Sequence, residues 1–215
     1  MEFPHQFIAI EGNIGAGKTS LCHLLARDFG CRLLLEQFTD NPFLPFFYEN
    51  SERYGFPVEL FFMTERHKQL QEHFAQPDLF QQTTIADYFF VKTLLFAKNN
   101  LNEEEYRLFQ RLWLVLNQTF PKPDVLFYLH RPVETLMNQI EKRGRDYEKN
   151  IGADYLTSIQ NAYFEFFKTE NSVPIVIIEL NEKNYLEDPK LYQQLAEILM
   201  KRYSTGLHYL QLITE

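Results

Sequence analysis

Phe7 to Ser20 reads FIAIEGNIGAGKTS. Within it, Gly12-Asn13-Ile14-Gly15-Ala16-Gly17-Lys18-Thr19 matches G-x-x-x-x-G-K-[ST] in full. The glycines allow successive backbone N–H groups to turn inward around phosphate oxygens. A helix starting at this loop adds the positive end of its dipole. Lys18 is then placed to reach β- and γ-phosphates, and the Thr19 hydroxyl to ligate Mg²⁺. Gly12 through Ser20 are therefore the expected binding residues for a nucleoside triphosphate. A second chemical candidate is Glu36, which closes the apolar run CRLLLE. A carboxylate at the carboxyl end of a strand stands where open α/β sheets bind ligands.

These groups need a frame. Gln6–Ile10, Cys31–Glu36, Thr83–Asp87, Asp124–His130 and Pro174–Leu180 read as strands, short and rich in β-branched or apolar residues. Helical spacing covers about 17–29, 57–75, 88–98, 103–118, 154–168 and 189–202, with another helix after Pro132. Pro42, Pro45 and Gly55 break the stretch between Asn41 and Phe56. Strands alternating with helices imply an α/β fold, a five-stranded parallel sheet covered by helices on both faces. The tail from Tyr203 to Glu215 is open between a strand and a mobile end. One domain over 1–215 is expected, with a charged loop around Gly144.

Bulk properties exclude several partners. A net charge of −8 disfavours a nucleic-acid polymer, whose backbone wants clustered Lys and Arg. Cys22 and Cys31 read as reduced thiols of a cytoplasmic protein rather than a disulfide framework. The His residues lack zinc spacing. No signal peptide or membrane span is evident. The 21 Phe and 12 Tyr are mostly core, yet suit a pocket for a flat ligand. An Asn-Lys-x-Asp motif is missing, which disfavours a GTPase.

EGNIGAGKTSL, LLLEQFTDNPFLPFFYEN, FPVELFFMTERHKQ and EKRGRDYEKNIGADYLTSIQNAY occur in that order. Together they resemble the deoxynucleoside kinases, most closely the bacterial deoxyadenosine/deoxyguanosine type. The resemblance implies a P-loop NTPase fold with a helical lid at about 141–153. It implies transfer of the γ-phosphate of ATP to the 5′-hydroxyl of a deoxyribonucleoside, with Mg²⁺, in a homodimer. Glu36 would be the general base, followed by the Asp40-Asn41-Pro42 stretch. Tyr48 would hydrogen-bond the sugar 3′-hydroxyl, Arg66 the base edge, and Glu148 the sugar. Arg143 and Arg145 would be lid arginines, whose guanidinium forks suit a transferring phosphoryl group. With Lys18 they complete the expected catalytic set. The dimer patch would lie on the helices of 88–118 and 155–167.

Two positions depart from the family pattern. After the third strand the family has Asp or Glu followed by Arg-Ser; here it is Asp87-Tyr88-Phe89. Asp87 can still serve the Mg²⁺ shell beside Thr19 and help place the substrate. The missing arginine leaves Lys92, about a helical turn on, as a substitute. Glu59 stands where the family carries a base-reading Gln. An ionised carboxylate only accepts, which suits the adjacent N1–H and N2–H₂ donors of guanine; alternatively Glu59 merely pairs with Arg66. A thymidylate-type monophosphate kinase and a regulatory protein that binds nucleotide without turnover are the competing readings.

Overall fold

The computed structural model describes residues 3–37, 41–75, 83–118 and 120–212. Its strands are β1 (Phe7–Gly12), β2 (Arg32–Leu34), β3 (Thr84–Ala86), β4 (Val125–His130), β5 (Pro174–Glu179) and β6 (Gly206–Gln211). They form one sheet in the order β2-β3-β1-β4-β5-β6, parallel throughout. β1 is buried along its whole length and β4 along all but His130. Unbroken apolar runs are what a sheet covered on both faces demands.

The helices are α1 (Lys18–Phe29), α2 (Leu44–Phe47), α3 (Ser51–Ala75), α4 (Lys92–Asn100), α5 (Glu103–Asn117), α6 (Val133–Arg143), α7 (Ala153–Thr169) and α8 (Pro189–Leu199). Local sequence sets several of their ends. Asn102 and Glu105 form a capping box at α5, and the Asp188 carboxylate caps α8 ahead of Pro189. Gly144 ends α6 in the left-handed region. The chain runs outward from β1 to β2 and returns through β3, then crosses β1 to β4. The crevice at this reversal collects the loops after β1, β2, β3 and β4, where ligands bind in open α/β sheets.

The sheet has six strands rather than five. The sixth comes from the tail, paired from Pro174↔Gly206 to Glu179↔Gln211. It is a half-exposed edge strand, so its sequence lacks the apolar run that marks the others. β2 ends at Leu34, two residues before Glu36. There the Glu36 N–H leaves the ladder and donates to Asp87 Oδ1 at 2.7 Å. α4 starts at Lys92, not near Tyr88; ahead of it the Phe89 N–H donates to Glu11 Oε1 at 2.7 Å. α3 starts at Ser51 and carries Pro57 within it, forgoing one backbone bond. Phe38 to Asp40 lie outside the described residues, so the expectation for Asp40 does too. Among the described residues no helix is long and apolar enough to cross a membrane.

Gly55 fixes how close α3 comes to the end of α4. A Cβ there would sit 2.7 Å from the Asn100 carbonyl oxygen. Alanine normally favours a helix over glycine by ~1 kcal/mol. Here the clash with backbone outweighs that gain. Gly55→Ala is expected to destabilise by about 1–3 kcal/mol, read as a lower urea midpoint with unchanged slope.

Candidate active site

The phosphate loop is braced before any ligand arrives. Gly15 and Gly17 adopt φ of 83° and 96°, which side chains resist. A Cβ on Gly17 would come within 2.5 Å of the Tyr185 hydroxyl, which donates to the Gly17 carbonyl at 2.6 Å. Arg131 ties the Ala16 carbonyl to those of Asn181 and Lys183 at 3.3, 2.8 and 2.8 Å. Asn13 donates to the Leu156 carbonyl and accepts from the Ile14 N–H. Lys18 Nζ donates to the carbonyls of Gly12 and Asn13 at 3.0 and 2.9 Å. Burial, then the neighbouring Lys92, pulls the Lys18 ammonium down to about 8. A polyphosphate in the loop reverses that trend by supplying negative charge.

Glu36 is the centre of the crevice. Its Oε1 accepts from Arg66 Nε at 2.7 Å and Nη2 at 2.5 Å. Its Oε2 accepts from Lys92 Nζ at 2.6 Å. Burial opposes the ionised form, but the two cations and their hydrogen bonds outweigh it and hold the carboxyl well below the usual range. Asp87 links this cluster to the phosphate loop. One of its oxygens takes the Glu36 N–H, and the other takes the Thr19 hydroxyl at 2.5 Å. Beneath them Glu11 is fully buried, accepting from Phe89 N–H and the Tyr163 hydroxyl, and burial raises its carboxyl.

An open cavity of about 800 Å³ joins these groups. It is lined at one end by Ile14, Gly15, Lys18 and Thr19, and in the middle by Glu36, Asp87 and Lys92. Its far end is formed by Phe47, Tyr48, Phe62 and Tyr155, with Glu59 among them. Arg66 lies 5.0 Å from the Phe62 ring centroid and spends its Nη1 on Thr93 Oγ1. Its bonds therefore go to Glu36 and Thr93, whereas Glu59 Oε1 accepts from Asn100 Nδ2 at 2.6 Å. Glu59 Oε2 is buried without a partner among the described residues. Burial raises the Glu59 carboxyl to about 7 against the pull of Arg66. Tyr48 is held well above the ordinary phenol range, chiefly by burial.

Arg143, the last residue of α6, and Arg145, just after it, reach the same cavity. Arg143 grips the buried Glu148 carboxylate through Nε at 3.0 Å and Nη2 at 2.6 Å. Arg145 Nη1 is 3.4 Å from Glu148 Oε1. The expected residues Lys18, Thr19, Glu36, Tyr48, Glu59, Arg66, Asp87, Arg143, Arg145 and Glu148 thus all line one cavity. Lys92 supplies the cation at Glu36. Asn100, Thr93, Arg131 and Tyr185 were not singled out by the sequence. Only Lys92 carried a signal, as the nearest positive charge after an unmatched Asp-Tyr-Phe.

Two titrations in this cluster have opposite signs. The Glu36 contribution is present above its unfolded value of 4.5 and is lost as pH falls below it. The Glu59 contribution is full below 4.5 and is lost as pH rises through about 7. The Glu59 contribution therefore declines between these two values, by at most about 3 kcal/mol. Urea unfolding of the parent and Glu59→Gln across that window checks this: the parent's stability relative to the variant should fall as pH rises.

The deoxynucleoside kinase family model matches residues 8–203. A deoxyguanosine kinase of Bacillus subtilis is 33% identical over 197 residues, spanning 88% of this chain and 94% of that one. A deoxyadenosine/deoxycytidine kinase of the same bacterium is 28% identical over 200 residues, spanning 90% and 91%. The structure of deoxyadenosine kinase from M. mycoides with bound dATP shares the fold, with a TM-score of 0.76 at 24% identity. It covers 92% of this chain and 100% of that one. With the phosphate loop, the paired carboxylate and the lid arginines around one cavity, this chain belongs to the deoxynucleoside kinase family.

Proposed function

We propose that the protein transfers the γ-phosphoryl group of ATP to the 5′-hydroxyl of a purine deoxyribonucleoside, giving the 5′-monophosphate. The observation that carries this is the buried Glu36 carboxylate sharing one cavity with Lys18 at one end and an aromatic chamber at the other. The nucleoside ring enters between Phe47, Phe62 and Tyr155. The sugar meets Tyr48 and Glu148, and its primary alcohol meets Glu36. A monophosphate acceptor fits less well, because its charge would face Glu36. Against a protein without turnover, the curated relatives are named as nucleoside kinases.

Each group then has a task. Lys18 gives up the Gly12 and Asn13 carbonyls to hold the β- and γ-phosphates. Glu36 is weakly basic between two cations, so its role is to orient the alcohol and take its proton late. That suffices for a loose phosphoryl transition state, which needs positioning and charge neutralisation more than a strong base. Arg143 exchanges Glu148 for the transferring phosphoryl, and the sugar hydroxyl replaces Arg143 on Glu148. Arg145 adds a second guanidinium to the same charge.

The Thr19 hydroxyl and the Asp87 carboxylate, in contact at 2.5 Å, are oxygen donors beside the phosphates and fit Mg²⁺. Among the described residues no three His, Cys, Asp or Glu cluster as a metal cage. Mg²⁺ commonly relies on one or two carboxylates plus substrate phosphates instead. The ion would neutralise charge on the phosphate oxygens. The buried free thiols Cys22 and Cys31 fit work in the cytoplasm. A homodimer is part of this reading: Leu108, Leu112 and Val115 form an exposed apolar stripe on α5 at helical spacing.

The test is ADP release from Mg·ATP with each deoxynucleoside, each monophosphate and no acceptor. Turnover is expected with a purine deoxynucleoside, and turnover confined to monophosphates would overturn the reading. Glu36→Gln should lower kcat by ~10²–10⁴. Lys92→Met should lower kcat by roughly 10-fold or more while Lys92→Arg recovers part of it. Leu112→Asp should halve the mass in light scattering while leaving the far-ultraviolet spectrum unchanged.

A further inference from the structure

The aromatic chamber ends on a carboxyl group whose two oxygens are not equivalent. Glu59 Oε1 accepts from Asn100 Nδ2 at 2.6 Å, and the same amide nitrogen lies 3.2 Å from the Tyr155 hydroxyl. Asn100 is the last residue of α4. Gly55, one turn before Glu59 on α3, lets its backbone carbonyl approach. Oε1 is therefore fixed as an acceptor by packing between two helices. Oε2 is buried and has no partner among the described residues. Any proton on this carboxyl resides on Oε2, because Oε1 faces a donor.

We propose that Glu59 selects the base of the acceptor through its protonation state, the ionised form taking a guanine edge and the protonated form an adenine edge. This rests on the deoxynucleoside kinase reading above. Guanine presents adjacent N1–H and N2–H donors. An ionised Glu59 accepts N1–H on Oε1, which has a second lone pair to give, and N2–H on Oε2. Adenine presents the N1 acceptor beside the N6–H donor. A protonated Glu59 donates from Oε2 to N1 and accepts N6–H on Oε1. The wrong pairing sets donor against donor or acceptor against acceptor in a buried chamber. A site built to match hydrogen bonds rejects such mismatches strongly.

The charges that face Glu59 keep both forms within reach. Glu36 from the loop after β2 favours the proton, and Arg66 on α3 and Lys92 on α4 oppose it. Tyr48 after α2 and Tyr155 on α7 are neutral at working pH, both phenols being raised by burial. Burial is the larger influence, and against the two cations it pushes the Glu59 carboxyl up to about 7. The Arg66 cation is spent on Glu36 and Thr93, so it does not lock Glu59 in its ionised form through a direct pair.

The experiment measures kcat/KM for deoxyguanosine and deoxyadenosine across the pH range around neutrality. Their ratio cancels every group that acts on both substrates alike, including Glu36, Lys18 and the lid. The ratio of ionised to protonated Glu59 changes about tenfold per pH unit, and the deoxyguanosine preference should climb with it. Glu59→Gln keeps an acceptor for Asn100 and offers a permanent donor, so it should favour deoxyadenosine with a ratio that is flat in pH. A parent ratio independent of pH, or a variant ratio that still climbs, overturns the inference. Absence of turnover with every deoxynucleoside instead overturns the kinase reading on which it stands.

Discussion

A carboxylate removed from water between two cations is the constraint on which this site depends. Desolvating Glu36, Arg66 and Lys92 costs several kcal/mol per ion, and only close pairing returns it. Arg66 comes from α3 and Lys92 from the first turn of α4, so the pairing fixes both helices over the carboxyl edge of the sheet. Asp87 extends the same constraint. It holds the Glu36 backbone with one oxygen and the Thr19 hydroxyl with the other. The phosphate loop and Glu36 are thus held at fixed separation by Asp87, the residue after β3. That is the preorganisation phosphoryl transfer asks for.

The surrounding charges explain why the site waits for its substrates. Glu11, Glu36, Glu59 and Asp87 face Lys18, Lys92 and Arg66 across one crevice. Acids outnumber bases in this set, and burial pushes Glu11 and Glu59 toward their neutral forms. Arg143 and Arg145 are occupied by Glu148. A triphosphate adds negative charge at the Lys18 end, and a sugar hydroxyl offers Glu148 another partner. On the proposed reading, acceptor and donor binding free Arg143 and Arg145 for the place where charge develops, a gating step of the kind lids provide.

Much of this was legible in the sequence because it rests on local rules. The phosphate loop is a contiguous motif, and the central strands are continuous apolar runs. Cap residues such as Asp188 and Gly144 mark helix ends by their own chemistry. The misses are places where tertiary contacts override local preference. β2 stops early because a side chain from β3 captures the Glu36 N–H. α4 starts late, after a stretch whose Phe89 N–H is bound by Glu11. The β6 edge strand leans on β5 and shows no buried run. Asn100 carried no local signal at all: its importance comes from Gly55, a residue far away in sequence that admits it to the chamber. Lys92 was visible only as a charge that the Asp-Tyr-Phe sequence left wanting.

The account stands or falls on where the acceptor alcohol lies. The most direct measurement is a crystal structure of the protein with a deoxynucleoside and a non-hydrolysable ATP analogue bound together. The account predicts the 5′-oxygen within about 2.6–3.2 Å of the Glu36 carboxylate, facing the terminal phosphate held by Lys18. A ternary complex in which Glu36 keeps only Arg66 and Lys92 as partners, with the 5′-oxygen beyond hydrogen-bond reach of it, would contradict the account.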